Sequence, residues 1–203
     1  MSTTKTAIVN RALIKFGSRT VTNIDTDTSS QEARIAKIVY PIALEKILTE
    51  TLWTHSKRRK LLSTLDEDIP FNLPKENLSV VYQKPAGCLR IFALSDTGAD
   101  WYEEGGKIYA DRTGLGAIYS FLNEDPTTYP PYFSTALSDL IAAEICYPLT
   151  NSAAKAQELF ELFQRVSLPM AMAANAQTGK AMEPNDDYWL NARFGGPNIK
   201  EFS

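Results

Sequence analysis

The sequence predicts an α+β protein that is mainly helical: an antiparallel helical bundle, a small antiparallel β-sheet region inserted in it, and an extended C-terminal arm. Three observations predict this. Apolar residues recur at helical spacing near both ends of the first 178 positions. Between them, from Trp53 to Leu122, prolines and glycines separate short β-like runs. The last stretch, from Gly179 to Ser203, has no helical period yet holds Tyr188, Trp189, Leu190, Phe194 and Phe202.

The first helix is expected from about Thr4 to Phe16, because Ile8, Val9, Ala12, Leu13 and Phe16 share one stripe. Thr3 or Thr4 can cap it, and Gly17 suits the left-handed position that ends helices. A loop follows to Thr28. Ser29 with Glu32 matches a capping box. From there Ile35, Val39, Ile42, Lys46 and Ile47/Leu48 trace a face down to Leu52, and Pro41 predicts a kink or a break. In the middle region the β-like runs are Leu78–Tyr82, Cys88–Leu94, Asp100–Glu103, Lys107–Ala110 and Ala117–Phe121. Gly105-Gly106 is a hairpin signal, since both glycines can take positive φ. A third helix is expected from about Pro131 to Cys146 on Phe133, Leu137, Leu140, Ile141 and Ile145, ended by Pro148. A fourth, capped by Thr150 or Asn151, carries Ala153, Ala156, Phe160, Phe163, Val166 and Met170, with a kink at Pro169. The organisation is therefore a helical pair (1–52), a β-rich insert (53–125), a second helical pair completing the bundle (126–178) and the arm (179–203). A disordered tail normally lacks aromatics, so the arm is expected to pack on another subunit or as a strap on its own body.

At 203 residues the chain can bury roughly 70% of the surface its unfolded form exposes, enough for a core without staples. Cys88 and Cys146 lie far apart and form no metal-type spacing, so both are expected to be reduced thiols. The net charge of -3 lacks the basic surplus of a steady duplex binder, which disfavours steady nucleic-acid binding but not a channel through which DNA merely slides. No secretory leader is expected after Met1, and no apolar run spans a bilayer. A soluble protein made in a cytoplasm is the expectation.

Catalytic chemistry finds little support. His55 is the one histidine and lacks a nucleophile-elbow serine; a half-exposed polar residue beside Trp53 is expected there. Gly114-Leu115-Gly116 precedes a β-like run, whereas a dinucleotide fingerprint opens a helix. The clusters Asp66-Glu67-Asp68 and Asp186-Asp187 lack calcium-loop spacing and read as solvated charge. Three scattered Cys and His residues do not make a zinc site. No cofactor and no metal are expected. The one dense basic run is Lys57-Arg58-Arg59-Lys60. Three readings of it stay open: unspecific attraction to passing DNA, pairing with acidic residues of a neighbouring subunit, or a solvated turn.

The order of features resembles the tail tubular protein A family, head-to-tail adaptor rings of short-tailed bacteriophages. Ile8-Val9-Asn10-Arg11-Ala12-Leu13 with Gly17 is similar to its first helix. Ile24-Asp25 and the segment from Ser29 to Tyr40 resemble its second, which leads to Trp53, Arg59 and Leu62. Tyr82, Pro85 and Cys88-Leu89-Arg90 resemble its strand entry, and Tyr102-Glu103, Gly106-Lys107-Ile108 and Asp111 its hairpin. Asp125-Pro126, Phe133, Ala142-Ala143-Glu144 and Pro148-Leu149-Thr150 resemble its third helix and exit. The resemblance covers about residues 5 to 178, each motif being a packing or turn feature whose weight lies in the shared order. Pro41 and Pro169 depart from the smoother helices of that pattern, and the arm has no motif that aligns.

The resemblance implies a virion protein of the tail or neck, made in the host bacterial cytoplasm and without catalysis. Such proteins form a ring, typically twelvefold, under the portal protein. They extend the DNA channel, help retain and eject the genome, and meet a tail nozzle or tube protein. Helical faces would then pack between neighbouring copies, the β insert would face the tail, and the arm would dock on the portal through Tyr188, Trp189, Leu190, Arg193 and Phe194. Lys57, Arg58, Arg59 and Lys60 would touch a neighbouring subunit or DNA in transit. The alternatives are a head-completion or neck protein of a long-tailed phage, a tail-associated wall hydrolase, and a nucleic-acid-binding regulator. The hydrolase would need a catalytic carboxylate pair, for which only the adjacent Glu103-Glu104 offers itself.

Overall fold

The computed structural model describes residues 3–75 and 77–178; the arm lies outside the described residues. Helix α1 is Lys5–Ile14, capped by Thr4, whose hydroxyl accepts from the Ala7 amide at 3.1 Å. Helix α2 is Gln31–Glu50. Its cap is Ser30 rather than Ser29: the Ser30 hydroxyl accepts from the Ala33 amide at 3.2 Å. Asp27 fixes this entry by accepting from the amides and hydroxyls of both Ser29 and Ser30. Those bonds hold its carboxyl down at about 2.

Of the kink or break expected at Pro41, the break does not occur: α2 runs through it as one helix. Pro41 is exposed, so the hydrogen bond it forfeits falls on the solvent side, where water can serve the freed carbonyl. The face expected to be buried is also corrected. The core side of α2 is Ala33, Ala36, Tyr40, Ala43, Leu44, Ile47 and Leu48, while Ile42 points outward. The buried side thus alternates small and large residues, with three alanines set among Tyr40, Leu44, Ile47 and Leu48.

At its far end the last carbonyls of α2 are taken up by side chains from elsewhere. The Trp53 indole donates to the Ile47 carbonyl at 2.6 Å, Ser120 Oγ to Leu48 at 2.8 Å and Arg90 to Thr49 at 2.9 Å. These bonds satisfy otherwise orphan acceptors, and the guanidinium sits where the helix dipole is negative.

Helix α3, Pro131–Thr150, is the centre of the helical layer, packing on α1 and α2 and on the two later helices. Pro131 starts it at a position where a missing N–H costs nothing. Residues 136–143 are buried without interruption. Pro148 is accommodated in the last turn rather than ending the helix, which stops at Asn151, held at φ 54°. Helix α4 is Ala153–Leu162, capped by Ser152. A π turn, Phe163–Ser167, joins it to α5, Leu168–Ala176. The expected kink at Pro169 takes this form: the wider turn makes room for a ring that would otherwise meet the preceding carbonyl.

The strands are β1 Lys57–Leu61, β2 Thr64–Leu65, β3 Val80–Gln83, β4 Cys88–Leu94, β5 Trp101–Glu104, β6 Lys107–Ala110 and β7 Gly116–Phe121. They form two antiparallel sheets, β1-β7-β4 and β2-β3-β6-β5. Gly105 and Gly106 both take positive φ at the β5–β6 turn. The sheets face each other across their own core: Ile91, Leu94, Ala117 and Tyr119 from one meet Tyr82, Ile108 and Ala110 from the other. A third cluster, Leu78, Val81 and Tyr109, lies outside this core.

The expectation of a mainly helical bundle is therefore overturned. The molecule is a mixed α/β structure with one helical core and a separate core between two sheets of three and four strands. The reason is local. The basic run at 57–61 and the Thr64–Leu65 pair lack apolar alternation, yet they hydrogen-bond to β7 and β3 and turn a small insert into two sheets.

Gly87 shows how tightly the three-stranded sheet is turned. Its φ is +70°, and a Cβ there would stand 2.6 Å from the Phe121 ring. Gly114 has φ +76° and open space. Gly114→Ala should therefore cost about 1 kcal/mol for backbone strain alone, and Gly87→Ala about 2–3 kcal/mol. Urea unfolding of the two variants checks this; equal losses would mean that the Phe121 contact is immaterial.

Candidate interaction surfaces

His55 is partly exposed and lies beside Trp53, as expected; its ring nitrogens are nonetheless buried. Its ring packs edge-on against Phe133 at 4.3 Å between centroids, with Tyr129 at 5.4 Å and Trp53 at 6.4 Å. Both ring nitrogens are buried without a hydrogen-bond partner, and burial lowers the imidazole to about 4. Without a hydrogen bond to either nitrogen, the ring serves as packing in this aromatic cluster. Glu103 is tied to Lys84 at 2.5 Å, whereas Glu104 ends its strand exposed. Burial pushes the Cys88 thiol up to about 11, away from the thiolate form that reacts. Cys146 is buried and free. Among the described residues no group of three or more His, Cys, Asp or Glu could hold a metal ion. Of the acidic cluster at 66–68, Glu67 pairs with Lys107.

The basic run is an edge strand rather than a turn. β1 hydrogen-bonds to β7 on one side only. Arg58, Arg59 and Lys60 are exposed and Lys57 is half-buried; Arg58 lies 5.3 Å above the Phe121 ring. None of the four takes part in a salt bridge among the described residues. Consecutive cations on an open strand edge repel unintended strand pairing and present charge to a polyanion or an acidic partner. Sequence periodicity missed this strand because four consecutive charged residues show no apolar alternation.

The helical layer carries two outward apolar faces. On α2, Ile38 is 66% and Ile42 57% exposed, flanked by the partly buried Ile35 and Val39. The spacing 35, 38, 39, 42 is itself an amphipathic stripe, so α2 is apolar on both sides. On the other face, Leu162, Val166 and Met170 stand exposed along α4, the π turn and α5, joined by Met172. No charged residue lies between Arg165 and Lys180. Val166 and Met170 were expected in the core, but the π turn adds a residue to the turn and rotates the rest of the helix out of phase. Their spacing was legible in the sequence; the direction they face was not. Tyr188, Trp189, Leu190, Arg193 and Phe194 lie outside the described residues.

Among the described residues no helix is long and apolar enough to cross a membrane. No protein-family model matches the chain, and no curated protein matches it in sequence.

Proposed function

We propose that this chain is a structural subunit of a phage tail: an adaptor that assembles as a ring between the portal protein and the tail nozzle or tube. In this role it extends the DNA channel and acts through binding geometry rather than catalysis. The observation that carries the reading is the outward apolar surface of the helical layer, in particular a helix α2 that is apolar on both sides. A helix of that kind is ordinarily covered by a partner. The family-like order of motifs from residues 5 to 178 supports the phage assignment. The open basic edge of β1 supplies a surface for an acidic neighbour or for DNA in transit.

The test is the solution mass of the purified chain mixed with a phage portal ring. Stoichiometric loading of the ring supports the reading, and a chain indifferent to portal sinks it. Deleting residues 179–203 should abolish that loading while leaving the far-UV spectrum and unfolding transition unchanged. Normal loading by the truncated chain would remove the arm, with Tyr188, Trp189, Leu190, Arg193 and Phe194, from the portal contact.

A further inference from the structure

We infer that the loop between β2 and β3 is a recognition element: Phe71 at its tip is an aromatic anchor for an apolar pocket with a basic rim on the tail nozzle or tube protein. The anchor stands on the geometry, and only the identity of the partner rests on the adaptor reading. Phe71 is 91% exposed, the most exposed large apolar side chain among the described residues. The chain on either side of it is fixed. Ile69 and Leu73 pack on Leu78, Val81 and Tyr109. Glu67 pairs with Lys107, and Lys75 with Asp100 at 2.6 Å. Pro70 and Pro74 restrict the backbone beside the tip, and Asn72 turns it with φ 58°. A ring held out on a stiffened loop loses little entropy on docking, and its burial gains the transfer of a whole aromatic side chain.

The layering of the molecule places this loop. Helix α2 packs on β4 and β7. Those strands share a core with β3 and β6. Ile69 and Leu73 lie on the other face of β3 and β6, with Val81 and Tyr109. Phe71 therefore stands on the side of the molecule remote from the helical layer, where a partner can be held without competing for the helices. Charge narrows that partner. Asp66 and Asp68 are exposed and have no ion pair among the described residues. Two free carboxylates beside an apolar anchor complement a pocket rimmed by lysine or arginine. They are repelled by anionic headgroups, which sets this loop apart from a lipid anchor.

Biolayer interferometry of the full chain on the immobilised tail nozzle or tube protein of the same phage tests it. Wild-type chain should bind, and Phe71→Ala should weaken binding about 30-fold or more. Phe71→Leu keeps an apolar tip and should lose less. The double variant Asp66→Asn/Asp68→Asn should associate more slowly and show a flatter salt dependence. All three positions are exposed, so the urea midpoint of each variant should stay at the wild-type value. Equal affinity for wild type and Phe71→Ala, or an unchanged salt dependence in the double variant, overturns the inference and leaves the adaptor reading standing. A wild type that loads portal yet ignores the tail protein does the same, and a chain that ignores both defeats the two together. Binding to phosphatidylcholine or phosphatidylglycerol vesicles that is lost in Phe71→Ala also overturns it, because the occupant is then a lipid. Self-association in sedimentation velocity that is lost in Phe71→Ala overturns it in favour of a second copy.

Discussion

Replacing Asp139 with alanine should lower the unfolding free energy by about 2–4 kcal/mol, because it leaves the half-buried Lys15 without the buried carboxylate it pairs with. Asp139 lies within the stretch of α3 that is buried on every side, and it is 4% exposed. Its carboxylate pairs with Lys15, the residue that closes α1, and accepts a 2.5 Å hydrogen bond from Ser167 Oγ in the π turn. One side chain thus ties together the first helix, the central helix and the junction between the last two. Burial, and then the charge of Arg11, pull Lys15 below its ordinary value. The ammonium is held there against its desolvation by the carboxylate it meets. Remove that carboxylate and a partly buried cation and a partly buried hydroxyl are both left without this partner.

For a domain whose whole stability is about 5–15 kcal/mol, such a loss brings the midpoint of a urea titration far down at nearly constant slope. Lys15→Ala should also destabilise, and by less, since Asp139 keeps the Ser167 bond. The double variant Lys15→Ala/Asp139→Ala should fall well short of the sum, because neither charge is then left alone. Additive losses, or a loss under about 1 kcal/mol for Asp139→Ala, would show that the pair does not hold these helices together.

Asp139 also shows where the sequence was legible and where it was not. The residue sits in the middle of an apolar helix that periodicity locates well: Phe133, Leu137, Leu140, Ile141 and Ile145 are all fully buried, as their spacing predicts. Periodicity marks an element but says little about which side of it meets which neighbour. On α2 part of the expected stripe is outward: Ile42 is exposed, and Ala33, Ala36 and Ala43 join Tyr40, Leu44, Ile47 and Leu48 on the core side. On the last helix the π turn altered the phase, so that Val166 and Met170 left the core. The two sheets were underestimated for a related reason. A strand at an edge, such as Lys57–Leu61, is specified by its hydrogen bonds to β7 and not by apolar alternation. Caps were legible to within a residue or two: Thr4 caps α1 as expected, whereas α2 and α4 are capped by Ser30 and Ser152 rather than by Ser29 and Thr150 or Asn151, and Gly105-Gly106 turns the hairpin. The outward apolar faces are, in sequence, indistinguishable from core stripes, and only the fold sorts one from the other.

The second large effect is acid sensitivity governed by His55. In the folded state burial keeps this imidazole neutral down to about 4, while in the unfolded chain it titrates near its ordinary value of 6.5. Protonation is thus linked to unfolding. Its contribution to stability is fully present above about pH 6.5 and is lost progressively as pH falls towards 4; further acid changes it little. The loss should reach roughly 2–3 kcal/mol by pH 4, since each pH unit between the two titration points is worth about 1.4 kcal/mol before the partial exposure of the ring is allowed for. Because His55 is the only histidine, no other imidazole contributes in this window. The Asp27 carboxyl, held at about 2, acts at lower pH. His55→Phe keeps an aromatic ring against Phe133, Tyr129 and Trp53 and removes two buried nitrogens that have no partner. It should leave stability at pH 7 unchanged or raised by about 1 kcal/mol. Its urea midpoint should then be nearly flat from pH 7 to pH 4.5, where the wild-type midpoint falls. The same slope in both proteins would mean that the aromatic cluster opens to water around the ring, and that the acid limb belongs to the carboxylates instead.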